Sequence, residues 1–104
     1  MTLSVDFTRE AIKDLSDIAS YTAETWGREQ AFRYAELLNE RFKEIAKGRI
    51  FSKTAFPNYP NVHVCRCEHH YIFFVCPQKN LKPVILAVLH ERMNLLVRLK
   101  ERLK

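Results

Sequence analysis

The most constraining feature of this 104-residue chain is a pair of helical stripes with almost nothing between them. Ala11, Leu15, Ile18 and Thr22 recur at helical spacing, with Ile12 and Ala19 on the flank. That period lines one side of a helix with apolar groups. Ala31, Tyr34, Ala35, Leu38, Phe42, Ile45 and Ala46 draw a second stripe. Trp26-Gly27 divides the two and Gly48 stops the second, each glycine able to take the positive φ that closes a helix. Each helix should run about 18 residues, roughly 27 Å. So short a link folds the two back antiparallel, as an αα-hairpin. Thr8 is the expected N-cap of the first helix, with Phe7 and Ile12 as a hydrophobic staple around it.

The remaining apolar residues follow other periods. Leu3-Ser4-Val5-Asp6-Phe7 alternates, as a strand with one buried face should. Residues Arg49 to Asn61 carry Pro57, Pro60 and no sustained period, and read as loop. Three apolar bursts follow: Val62 to Cys67, His70 to Cys76, and Pro83 to Leu89, the last two separated by a turn at Pro77-Gln78-Lys79-Asn80. A tight turn at Glu68-His69 would set Arg66 opposite Tyr71, Val64 opposite Phe73 and Cys65 opposite Ile72. Tyr71, Phe73 and Val75 then share one face, and Ile72, Phe74 and Cys76 the other. The run Val84 to Leu89 is apolar throughout. Strands apolar on both sides must be covered on both sides. The helical hairpin covers one face; the C-terminal helix or a second chain covers the other. That last segment, Glu91 to Lys104, carries Met93, Leu95, Leu96, Leu99 and Leu103 as an apolar stripe. The expected fold is one α+β domain over residues 1–104: an N-terminal strand, the hairpin, a three-stranded antiparallel meander and a C-terminal helix.

Composition narrows the function classes. Apolar residues make up 47% of the chain, enough for a core and too many for intrinsic disorder. No apolar run approaches the roughly 18 residues of a membrane span. The opening residues lack the basic flank and apolar stretch of a secretory leader, and three cysteines make a poor disulfide framework. Reduced thiols in the cytoplasm are expected. Lys and Arg number 17 against 12 Asp and Glu, a net charge of +5 that favours an acidic partner. Five cations and two acids fall between Glu91 and Lys104, so this tail holds +3 of the total. A helix dipole alone would also select cations there.

Few residues are spaced for chemistry. His63, Cys65, Cys67 and His69 share one face of a straight strand, but they spread over roughly 20 Å, whereas zinc gathers its ligands within about 2.3 Å. The cysteines read as small core residues, and no metal or cofactor is expected. Asp14 and Asp17, like Glu40 and Glu44, read as a solvated helix face. With only Gly27 and Gly48 there is no phosphate loop. Arg66, His69, His70, His90 and Arg92 form the one set suited to RNA cleavage, histidine moving protons and arginine meeting phosphate charge. The simpler reading has His90 bonding the backbone where the strand turns into the last helix.

Several ordered pieces carry a family resemblance: Ala11-Ile12-Lys13-Asp14-Leu15-Ser16-Asp17-Ile18 with Tyr21, Trp26-Gly27-Arg28-Glu29-Gln30-Ala31 with Tyr34, His70-Tyr71-Ile72-Phe73-Phe74, and Ile85-Leu86-Ala87-Val88-Leu89-His90-Glu91-Arg92-Met93-Asn94. From about Val5 to Asn94 the chain resembles the ParE branch of the ParE/RelE toxins of bacterial type II toxin–antitoxin pairs. The resemblance implies a RelE-like fold and a cytoplasmic protein that inhibits growth and stabilises plasmids by binding DNA gyrase, without catalysis of its own. It implies a ParD-like antitoxin as partner, and operator DNA bound only through that antitoxin. Residues expected to meet antitoxin or target are Arg66, His70, Tyr71, Phe73, His90, Arg92, Leu96, Arg98 and Leu99. The alternative is a RelE-like, ribosome-dependent mRNA endoribonuclease using Arg66, His90 and Arg92. No tyrosine follows Tyr71, and only Lys and Glu beyond Arg92 could serve as acid or base, which weighs against it.

Overall fold

The computed structural model describes residues 4–48, 53–77 and 82–103. Among them the chain runs β1 (Asp6–Phe7), α1 (Arg9–Trp26), α2 (Arg28–Ala46), β2 (Lys53–Phe56), β3 (Tyr59–Cys67), β4 (His70–Val75), β5 (Val84–His90) and α3 (Leu95–Arg102). The five strands form one mixed sheet in the order β1-β5-β4-β3-β2. β2 to β5 are a continuous antiparallel meander, and β1 returns parallel to β5.

The hairpin forms as its pattern dictates. Thr8 caps α1 by accepting from the Ala11 amide at 3.1 Å. Gly27 alone joins the helices: its N–H reaches the Ala23 carbonyl at 3.0 Å and its carbonyl receives the Ala31 amide at 3.1 Å. Its φ of 94° suits glycine, and since a Cβ would meet nothing within 4 Å, any substitution cost there is backbone strain alone. The staple does not form: Ile12 is 57% exposed, and the Phe7 ring packs edge-on against Phe42 with centroids 5.1 Å apart. Phe7 has the better offer because burial against a ring removes more apolar area than an exposed isoleucine could.

Residues 49–61 correct the loop reading in part. Lys53–Phe56 is a strand, and β3 begins at Tyr59 rather than Val62, so the meander gains a fourth strand. The two prolines hide this edge pair, since Pro57 opens the turn and Pro60 sits beside a register shift between Thr54 and Phe56. Residues 49–52 and most of the predicted turn at 77–80 lie outside the described residues, as do Leu3 and Lys104. The β3–β4 register is the predicted one: Arg66 faces Tyr71, Cys65 faces Ile72 and Val64 faces Phe73. Its two-residue turn holds Glu68 at a φ of 54°, the left-handed region usual for such hairpins.

Two apolar layers enclose the sheet. On the first face α1 and α2 bury Ala11, Leu38, Phe42 and Ile45 against Cys65, Cys67, Ile72, Phe74, Ile85 and Val88. On the second, α3 drives Leu99 among Val62, Phe73, Ala87 and Leu89, flanked by Leu95 and Leu103. The chain's own last helix therefore supplies the second cover over the middle of the sheet. Farther along the same face Phe56, Tyr59, Val64, Tyr71 and Val75 stay half-buried. A bulge makes both layers possible. Phe73 pairs with Ala87 but Phe74 with Ile85, leaving Leu86 unmatched and turning Leu86 and Ala87 to the same face.

Past Ile85, the side of β5 facing away from β4 has no strand beside it among the described residues, and side chains close this edge. Thr8 Oγ1 donates to the Leu86 carbonyl at 3.2 Å, and Asp14 Oδ2 accepts the Val88 amide at 3.0 Å. Arg102, from α3, grips both oxygens of Asp14 at 2.7 and 2.8 Å and adds a bond to the Leu86 carbonyl at 3.2 Å. Asp14 is thus no solvated carboxylate; its side chain is 12% exposed and ties α1, β5 and α3 together. Asp17, by contrast, stays on the open face with Lys13.

Candidate functional site

The β3–β4 turn and the end of β5 bring the imidazoles together at one corner of the sheet. His70 and His90 are cross-strand partners, because β4 and β5 pair antiparallel. Their rings meet edge-to-face with centroids 5.1 Å apart, and His69 stacks 6.4 Å from His90. α2 adds Tyr34, whose hydroxyl donates to the Cys67 carbonyl at 3.2 Å and shares a short hydrogen bond with His70 Nδ1. A neutral His70 protonated on Nδ1 satisfies the whole chain, from imidazole to hydroxyl to carbonyl. Burial first, then the charges of His90 and His69, lowers His70 from 6.5 to about 4. Burial likewise pushes the Tyr34 hydroxyl up to about 12. Near neutral pH both are uncharged and far from the range in which a proton shuttle works best.

The arginine beside them is already engaged. Arg66 donates from Nε to the Glu68 carbonyl at 2.8 Å, and its Nη2 is ion-paired with Glu91. Its guanidinium lies 5.4 Å from the Tyr71 ring centroid, the cross-strand pairing expected from the register. Glu91 also faces His69 Nδ1 at 3.5 Å and anchors its own amide on the His69 carbonyl at 2.8 Å. His90 accepts the Arg92 amide on Nδ1 at 3.1 Å, the backbone role read from the sequence. Arg92 is exposed next to it.

The sequence-predicted contact residues separate into two groups. Arg66, His70, Tyr71, His90 and Arg92 do converge on this corner. Leu96 and Arg98 lie exposed on α3. Phe73 and Leu99 require correction: at 1% and 0% exposure they are core, both members of the one cluster beneath α3. Phe73 is central because α3 covers it, which strand alternation alone could not tell. Asp14, Arg102 and Tyr34 are the polar residues that sequence reasoning missed. The first two sit beside apolar stripes, three residues after Ala11 and Leu99, which is the only hint the chain offers.

The cysteine- and histidine-bearing strand holds no ligand set. Cys65 and Cys67 are buried under the hairpin, and burial pushes the Cys65 thiol up to about 11 despite the nearby Arg41. His63 stacks on Phe74 instead. Among the described residues no three His, Cys, Asp or Glu side chains converge to hold a metal ion. None of the described helices is long and apolar enough to cross a membrane. A crevice of about 240 Å³ opens between α1 and α2, floored by Leu38 and Phe42 and walled by Ala19 and Ala35. Trp26 and Phe32, at 70% and 66% exposure, stand at the same hairpin's tip.

A helical hairpin on one face of a meander and a short helix on the other is an architecture seen before. A solved structure titled "Chromosomal ParDE TA system from P. aeruginosa" superimposes with a TM-score of 0.70, covering 86% of this chain and 96% of that one at 20% identity, a likeness of fold. This defines the class as RelE-like α+β proteins. Sequence narrows it further. The family described as "ParE toxin of type II toxin-antitoxin system, parDE" matches residues 5–95. Toxin ParE of Escherichia coli is 39% identical over 97 residues, spanning 93% of each chain. Toxin ParE1 of Caulobacter vibrioides is 30% identical over 87 residues, 84% of this chain and 88% of that one. The chain belongs to the ParE toxin family of type II toxin–antitoxin systems.

Proposed function

We propose that this chain inhibits bacterial growth by docking on DNA gyrase and trapping its cleaved-DNA complex, and that a ParD-like antitoxin neutralises it in the cytoplasm. Operator DNA is met through the antitoxin. Membership of the ParE family carries the reading. The geometry of the histidine corner supports its non-enzymatic part. Arg66 is held by Glu91 and Glu68, His90 Nδ1 is occupied by its own backbone, and His70 lies near 4. A nuclease would need a free guanidinium and an available imidazole together; Arg92 is exposed beside this set, while Arg66 and His70 are already engaged. Arg66, His70, Tyr71, His90, Arg92, Leu96 and Arg98 are the surface on which contact with antitoxin or target is sought.

The test adds purified protein to gyrase, ATP and supercoiled plasmid. Accumulated linear DNA after detergent and protease treatment is the expected product. Cleavage of mRNA in translating ribosomes with gyrase unaffected would overturn the proposal in favour of an endoribonuclease. Replacing His90 and Arg92 together by alanine bears on the mRNA readout: a nuclease would lose its mRNA cleavage while the chain stays folded, whereas a docking protein shows none with or without the two side chains.

A further inference from the structure

We propose that α3 is a strap that opens independently of the rest of the fold, with the Asp14–Arg102 pair as its catch. Little else holds it. α3 has eight residues, too few for a helix to persist on its own in water. Its grip on the sheet is the stripe Leu95, Leu99 and Leu103, of which Leu99 alone is fully buried. The opposite side carries Leu96 and Val97, both exposed, so no second layer presses it down. The catch works differently from the leucines. Arg102 reaches past its own helix to both oxygens of Asp14 and to the carbonyl of the bulged Leu86. With 20% and 12% side-chain exposure, the pair is shielded enough to count for more than a surface salt bridge.

What the strap hides gives the device its purpose. Closed, it seals Phe73, Ala87 and Leu89; open, it adds them to the half-buried Tyr71, Val64 and Val75 as one continuous apolar face. The hairpin side and the β3–β4 register do not depend on it, because their contacts run through the other face and the strand ladder. α3 therefore regulates access to the sheet face next to the histidine corner. That regulatory consequence rests on the docking function proposed above; the opening itself does not.

Hydrogen exchange on the isolated full-length chain tests it, and the readout is independent of gyrase. In the wild type, the hydrogen-bonded amides from Arg98 to Leu103 should exchange at least about 100-fold faster than those of β4, and with little dependence on low denaturant. Arg102→Met should speed the α3 amides roughly tenfold further while the β4 amides stay within about twofold. Asp14→Asn, which keeps an acceptor for Val88, should act in the same direction. Equal exchange of α3 and β4 in the wild type, with the same denaturant dependence, overturns the proposal, and it decides the matter even where a variant fails to fold. An Arg102→Met effect spread evenly over both elements overturns it as well.

Discussion

Replacing His70 isolates a defined share of the protein's acid sensitivity. Its imidazole is lowered from 6.5 to about 4, by burial first and by the neighbouring His90 and His69 next. Between these values the unfolded chain holds a proton that the folded chain refuses. Stability associated with the neutral ring is therefore complete above about 6.5 and is lost as pH falls towards 4. At about 1.4 kcal/mol per tenfold change in proton affinity, the full displacement corresponds to about 3 kcal/mol. Solvent at the half-buried ring reduces this to about 2 kcal/mol. His70→Phe keeps a ring opposite His90 and leaves the Tyr34 hydroxyl its carbonyl partner on Cys67. Urea unfolding of both proteins under reducing conditions, at about pH 7 and about pH 4.5, yields the four free energies required. Carboxylate titrations common to both cancel in the difference. The wild type should lose about 2 kcal/mol more than the variant between the two conditions, a relative shift of about 1–2 M urea in midpoint. Equal losses would refute the reasoning, because the buried ring would then bear no part of the acid response.

Leu99→Ala should cost about 2–4 kcal/mol by chemical denaturation while Leu96→Ala on the exposed side changes stability by less than about 0.5; similar values for the two would contradict the burial of α3. Thiol titration of the native chain should find Cys76 reacting fast and Cys65 and Cys67 reacting only after denaturant is added, and three equally fast thiols would rule out the buried placement. Tyr34→Phe removes the hydroxyl between His70 and Cys67 and should destabilise by about 1–2 kcal/mol, with an unchanged urea midpoint as the refuting result.

The sequence was legible where one period ran without rivals. The two helices, their one-glycine link and the β3–β4 register all follow from spacing, since a one-residue slip would turn every side chain to the wrong face. Legibility ended where the pattern became uniform. The all-apolar run of β5 carries no alternation, so nothing in it announces the bulge at Leu86 that sends Leu86 and Ala87 to one side. β2 was hidden by the prolines around its turn: Pro57 follows the strand, and Pro60 lies in β3 ahead of Val62, where the β4 pairing begins. At the candidate site, the residue types were visible but their partners were not. Arg66 and Glu91 lie 25 positions apart and Asp14 and Arg102 lie 88 apart, so only the folded sheet reveals that one arginine is occupied and one aspartate is shielded.

These long-range pairs bear on how such a small domain could serve the two partners proposed for it. The first face of the sheet is closed by two long helices and buries ten residues around Phe42 and Ile72. The second is closed only at its middle, by a helix less than half as long. On the proposed function, stability and recognition fall on opposite sides: the hairpin layer keeps the register that sets Arg66, His70 and His90 in place, and the lighter cover can vary without disturbing them. The histidine corner lies at the seam between the two layers, joined to α2 through Tyr34 and to the end of β5 through His90 and Glu91. A partner approaching along the second face meets cations and half-buried aromatics before it meets the core. Such a surface favours recognition by docking, because charge steers the approach while the apolar area that contributes binding energy lies beneath a short helix with one fully buried leucine.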